Sequence, residues 1–156
     1  MTIQVDFSKL TANDVLDMAI AIEDEGSYYY EQLADWIGDD NQEVSDFFRR
    51  MSVRERRHHD QVVALRERLF EGQPSSHAEK VSWGVEAPDF ESVPNDVTLR
   101  QAFDVAMDSE TRAHDFYASA IEYAADNQIA ELFEGLRQAE EDHQRMLREE
   151  MAKFLG

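Results

Sequence analysis

There is no cysteine in this chain of 156 residues, which excludes disulfides, zinc knuckles and any iron site built from four thiolates. Basic residues are scarce. Lysine and arginine number 15 against 34 aspartates and glutamates, a formal charge of −19 at pH 7. Nucleic acid and anionic membrane surfaces are repelled at that balance, so neither is expected as a partner, whereas metal cations are attracted. No apolar run approaches the ~20 residues of a membrane span. Met1 to Leu10 has neither a cationic start nor a long apolar stretch, so the cytoplasm is the expected compartment. The length suits one domain, 1–156, with a core of its own.

Proline is also rare, and its placement is informative. Pro74, Pro88 and Pro94 all fall in one stretch that also holds Gly72, Ser75, Ser76 and Gly84. That stretch reads as a long crossover loop, 71–96, between two helical regions. The first region divides at Gly38 into helices of about 12–38 and 41–70. Thr11 and Asp14 form a capping pattern at the start of the first, and Gly72 stops the second. The second region gives helices of about 97–126 and 127–154. Trp83 and Phe90 in the loop are expected to cover the bundle or a partner subunit.

Each helix carries an apolar stripe in alternating steps of four and three. The first reads Leu16, Ile20, Glu23, Ser27, Tyr30, Ala34, Ile37. The second reads Val44, Phe48, Met51, Glu55, His58, Val62, Leu65, Leu69. The third runs Phe103, Ala106, Glu110, Ala113, Tyr117, Ala120, Ala124, and the fourth Ile129, Phe133, Leu136, Glu140, His143, Leu147. Such stripes belong to helices that pack in a bundle. The halves also align as an internal repeat, with Asp17-Met18-Ala19 matching Asp104-Val105-Ala106 and Asn41-Gln42 matching Asn127-Gln128. The expected fold is all-α: two helical hairpins, joined by the crossover loop, forming a four-helix bundle.

The stripes contain charged residues where core residues belong. Each half offers a lone glutamate, Glu23 or Glu110, and a Glu-x-x-His pair, Glu55 with His58 or Glu140 with His143. Residues three apart share a helix face, so each pair can point both side chains at one ion. Four carboxylates balance the charge of two divalent cations. Buried and unpaired, each would cost several kcal/mol. Carboxylate–arginine pairs or a network of protonated carboxyls could also relieve that cost, but no arginine occupies the stripes, which favours metal.

On these residues the chain resembles the rubrerythrin branch of the ferritin-like di-iron proteins. The segment from Ala19 to Tyr30 is similar to that branch's first helix, and the Glu-x-x-His pairs to its second and fourth. The resemblance implies a ferritin-like antiparallel four-helix bundle with two iron ions, manganese or zinc being substitutes. It implies Glu23 and Glu110 as terminal ligands, Glu55 and Glu140 as bridging ones, and His58 and His143 each on one iron. Tyr30 and Tyr117, each seven residues after its glutamate, would hydrogen-bond the carboxylates.

Two departures bear on function. Rubrerythrins of the two-domain type carry a rubredoxin domain, for which this sequence has no cysteines, so an external electron donor is expected. They also carry an extra glutamate where this chain has Ala113, the repeat counterpart of Gly26. The small residues Gly26 and Ala113 are expected to leave space for an oxidant between the metals. The resemblance implies an oxidoreductase that reduces hydrogen peroxide or O₂, probed against a ferroxidase and iron-storage alternative of the ferritin type. A DNA-protecting mini-ferritin fits less well, there being no basic tail. A bundle binding metal for stability and an oxygenase acting on an organic substrate remain as further readings. A homodimer is expected. His59 is expected at the surface. His114 has a spacing compatible with the shared site and is read as a neighbour of it or a surface residue. His77 has no ligand spacing.

Overall fold

The computed structural model describes residues 6–73, 98–124 and 126–155. Four long helices make up most of it: α1, Ala12–Ile37; α2, Gln42–Phe70; α3, Leu99–Glu122; and α4, Asn127–Leu155. Short 3-10 turns at Phe7–Lys9 and Gly38–Asn41 precede α1 and join it to α2. The proline-bearing stretch lies almost wholly outside the described residues, with Trp83, Phe90 and His77. No helix among the described residues is long and apolar enough to cross a membrane.

The helix starts follow from local chemistry. The Thr11 hydroxyl accepts the Asp14 N–H while the Asp14 carboxylate accepts the Thr11 N–H, satisfying two donors that a helix start leaves free. Thr98 and Gln101 repeat the device at α3, and the Asn41 side chain accepts the Val44 N–H at α2. Gly38 leaves α1 at φ 51°, a conformation glycine adopts without strain. The third helix is shorter than its expected span. It starts after its Thr98 cap and ends at Glu122 rather than near Asp126, because Tyr123 turns out of the helix, its N–H donating to the Ala120 carbonyl and the Ala124 N–H to that of Ile121.

Cross-helix contacts set the directions. Arg56 bonds Asp24 and Arg49 bonds Asp35, so α2 runs antiparallel to α1. His114 meets Glu141 and Gln144 meets Thr111, so α4 runs antiparallel to α3. The molecule is an all-α bundle of two hairpins. Ser27 and Ser52 hold α1 close to α2: their hydroxyls lie 3.0 Å apart, and Ser52 donates to the Ser27 carbonyl at 2.8 Å.

The core comes in two halves. One gathers Leu16, Met18, Val62, Leu65, Phe116 and Phe133 with their neighbours; the other gathers Leu33, Val44, Phe48, Met51, Phe103 and Leu147. In each helix the candidate ligands fall between the two halves. Ile20, expected in the stripe, is only half-buried, and Met18 and Ala19 are fully buried beside it.

Phe48 is fully buried and packs its ring against Phe103 at 5.3 Å. Phe48→Ala should therefore destabilise the chain by about 3–5 kcal/mol in denaturant unfolding. A loss within measurement error would mean that this half of the core is not packed as described.

Candidate metal centre

Between the two apolar halves lies a layer of six polar side chains. Glu23, Glu55, Glu110, Glu140 and His143 are buried, and His58 keeps 15 % of its side chain exposed. One donor atom from each of Glu23, Glu55, His58 and Glu140 fits within a 4.8 Å spread, and so does one from each of Glu55, Glu110, Glu140 and His143. The structure thus brings all six sequence-derived residues together. Glu55 and Glu140 take part in both groups, with a glutamate and a histidine at either side.

The atoms facing this cage make no well-aligned hydrogen bond, although several lie 3.0–3.7 Å from one another. Glu23 Oε2, Glu55 Oε1, Glu110 Oε2, both oxygens of Glu140, His58 Nδ1 and His143 Nδ1 are buried without a hydrogen bond. Buried polar atoms ordinarily have partners, so a cluster of orphans converging on one point fits a cation held there. Oxygen and imidazole donors are the set that iron or manganese accepts.

The tyrosines complete the arrangement from across the bundle. Tyr30 on α1 donates to Glu110 Oε1 on α3 at 2.5 Å, and Tyr117 on α3 donates to Glu23 Oε1 on α1 at 2.6 Å. Neither reaches the glutamate on its own helix. Each bond occupies Oε1 and leaves Oε2 to face the cage, 3.3 Å from His143 Nδ1 in Glu110 and 3.6 Å from His58 Nδ1 in Glu23. Burial, with the charges of the nearby glutamates, pushes both phenols well above their usual pKa, so they remain proton donors.

The four carboxyls divide into two kinds. Burial, reinforced by the charges of Glu140, Glu110 and Glu23, pushes Glu55 well above the usual carboxylate range. Burial and the charge of Glu110 do the same to Glu140. For the outer pair burial also acts upward, but partners outweigh it. Glu140, His143 and Tyr30 bring Glu110 down to about 2, and His58, Glu55 and Tyr117 lower Glu23. Without metal, the surroundings thus favour the protonated form of the shared pair and the charged form of the outer pair.

Other expectations resolve differently. His143 Nδ1 lies 3.0 Å from Glu55 Oε1, whereas His58 Nδ1 lies 3.6 Å from Glu23 Oε2, so the repeated halves are not equal in place. The space beside Gly26 is not open, because an added Cβ would stand 3.0 Å from Glu55 Oε2; the glycine makes room for that carboxylate. Ala113 is buried in one apolar half. His114 turns outward to Glu141 at 3.1 Å, and Glu141 also accepts Arg137. His59 contacts Asp60 at 3.1 Å and is absent from the cage. The Ser27–Ser52 contact was missed in the sequence, although a serine within the first stripe was its signal.

The family model described as Rubrerythrin matches residues 14–151. The chain belongs to the rubrerythrin family. A crystal structure of an uncharacterised conserved protein from Magnetospirillum magnetotacticum is similar to this rubrerythrin-family chain, with a TM-score of 0.74, 24 % identity, and coverage of 92 % of this chain and 95 % of that one. A hypothetical protein from Pyrococcus furiosus gives a TM-score of 0.73 at 20 % identity, covering 93 % of this chain and 90 % of that one. Both likenesses concern the ferritin-like fold. No curated protein matches the chain. Family membership and the glutamate–histidine cluster together make this a metal-binding bundle.

Three tests follow from the cage. Divalent ions must displace any protons on Glu55 and Glu140, so their affinity should rise as pH climbs above the ordinary carboxylate range, with protons released, read by calorimetry in buffers of different ionisation enthalpy. Because a carboxyl with a raised pKa weakens the metal-free fold as pH rises past its ordinary range, Glu55→Gln should leave metal-free stability at pH 8 equal or higher while abolishing the metal-induced rise in Tm. A metal-induced rise that persists would remove Glu55 from the site. Tyr30→Phe frees Glu110 Oε1 and should weaken metal binding by roughly 10- to 100-fold with the fold intact, as circular dichroism would show.

Proposed function

We propose that this chain is a di-iron oxidoreductase that reduces hydrogen peroxide or O₂, drawing its electrons from a separate donor and acting as a homodimer. The observation that carries the reading is the sharing of Glu55 and Glu140 between two ligand groups, each closed by its own glutamate and histidine. A pair of adjacent ions suits that sharing better than a single one does. Two iron ions held there would supply the electrons and the Lewis acidity that reduction of an O–O bond needs.

The chain's own part is to hold the ligands and exclude water. Glu23 and His58 would bind one ion and Glu110 and His143 the other. Tyr30 and Tyr117 keep the outer carboxylates oriented from the opposite hairpin, so each ion position depends on both halves of the chain. The apolar halves on either side keep solvent from the layer, which strengthens every charge interaction inside it. Glu55 and Glu140 can carry protons before metal arrives and yield them on loading.

Anaerobic loading with Fe²⁺ should saturate at two ions per chain, and Glu140→Ala should abolish the second. Stopped-flow mixing with H₂O₂ or O₂ should then oxidise the bound iron within the mixing series, and a reductant should restore it for a further cycle. Iron retained far beyond two per chain as mineral would instead identify a storage ferroxidase. Failure to bind iron at all would reject the reading.

A further inference from the structure

The rings behind the two site tyrosines lead to different places. From Tyr30 they pass to Phe48 at 5.9 Å and on to Phe47 and Phe103. Phe47 lies beneath the Arg50 guanidinium, 5.9 Å away, and a fixed positive charge opposes oxidation of anything near it. From Tyr117 they pass to Phe116 at 5.3 Å, to Phe7 at 5.5 Å and to Tyr123 at 5.7 Å. Tyr123 is 59 % exposed. A line of close-packed rings therefore joins a phenol bonded to the cage with a phenol in solvent.

Phe7 and Tyr123 are each anchored by their own backbone as well as by the ring contacts. Phe7 is buried on its own 3-10 turn, capped by Asp6. Tyr123 is fixed by the backbone bonds that end α3, and its ring stacks on Phe7 with 16° between the planes. The inner phenol has a proton acceptor at hand in Glu23 Oε1, 2.6 Å away. Oxidising a phenol requires its proton to leave with the electron, and only the two ends of this line are phenols.

We propose that Tyr117, Phe116, Phe7 and Tyr123 form a path that carries oxidising equivalents from the metal cage to the surface. The proposal rests on the redox reading above, with peroxide as the oxidant. Tyr117 gives one electron toward the reduction of peroxide at the cage and passes its phenolic proton to Glu23. An electron from Tyr123 then crosses the rings of Phe7 and Phe116, which serve as a bridge and are not themselves oxidised. Tyr117 takes its proton back, and Tyr123 loses its own to water and becomes a neutral radical. A one-electron donor such as a thiol restores Tyr123, taking a proton from solvent. Two passes supply the two electrons that, with two protons, convert one peroxide to two waters. Tyr123 is thereby the surface point at which a small reductant or donor protein acts.

The test uses the full chain loaded with Fe²⁺ and mixed with two equivalents of peroxide per iron pair, without reductant, because the two ferrous ions themselves consume the first equivalent. Samples are freeze-quenched for electron paramagnetic resonance and, in parallel, exposed to a spin trap and mapped by mass spectrometry. The wild type should give a tyrosyl signal that a thiol removes quickly and a trap adduct at Tyr123. Tyr123→Phe should lose that adduct and leave a buried tyrosyl signal that the thiol removes slowly. Phe7→Leu should diminish the adduct although Tyr123 is present, and Tyr28→Phe, an exposed phenol off the path, should change nothing. If iron is oxidised but the adduct lies elsewhere, or Tyr123→Phe behaves as wild type, the path is overturned and the functional reading stands. If iron is not bound, or peroxide does not oxidise it, both fall.

Discussion

Four carboxyl groups share one layer between two apolar halves of a bundle, and they cannot all be charged there without compensation. The protein meets this constraint twice over. Before metal, burial and like charge favour protons on Glu55 and Glu140, which reduces the charge, while partners favour the ionised forms of Glu23 and Glu110. Cations bound by the same oxygens and by His58 and His143 would remove the need for those protons. The same groups therefore tie metal affinity, proton uptake and fold stability together. The two apolar halves supply the rigidity that stops the layer from relaxing by spreading apart, since each helix is packed above and below its ligands.

The crossed tyrosines turn two hairpins into one site. Each hairpin contributes a complete lone glutamate and Glu-x-x-His set, yet each lone glutamate is oriented by a phenol from the other hairpin. The bonds pair Glu23 with Tyr117 and Tyr30 with Glu110, so they also set α1 antiparallel to α3. Assembly of the bundle and orientation of the carboxylates are the same event. A site made this way is rigid on the outer ligands, each held by a tyrosine, and adjustable on the shared ones, which no tyrosine holds.

Family membership and fold bound the chemistry without choosing the reaction. A cluster of this composition can bind and oxidise iron for several ends, and the choice turns on how oxidant and electrons reach it. Gly26, expected to leave an opening, instead accommodates the Glu55 carboxylate. The more distinctive feature lies outside the cage, in the rings that connect Tyr117 to the exposed Tyr123.

Much of this was legible in the sequence, for a physical reason. Helix periodicity is local, so the stripes revealed four helices, and charged residues inside a stripe revealed polar groups that must be buried. The repeat then implied that the two ligand sets meet. Capping at Thr11 was equally local and equally plain. What the sequence by itself determined is thus the helices, the bundle and the identity of the six cage residues. Only the tertiary structure decided which partner each side chain finds: that Tyr30 serves Glu110 and not Glu23, that Glu55 fills the space beside Gly26, that His143 is enclosed while His58 touches the surface, and that Phe7 links Tyr123 to the core. Those outcomes depend on the register and spacing of helices far apart in the chain, which no local periodicity encodes.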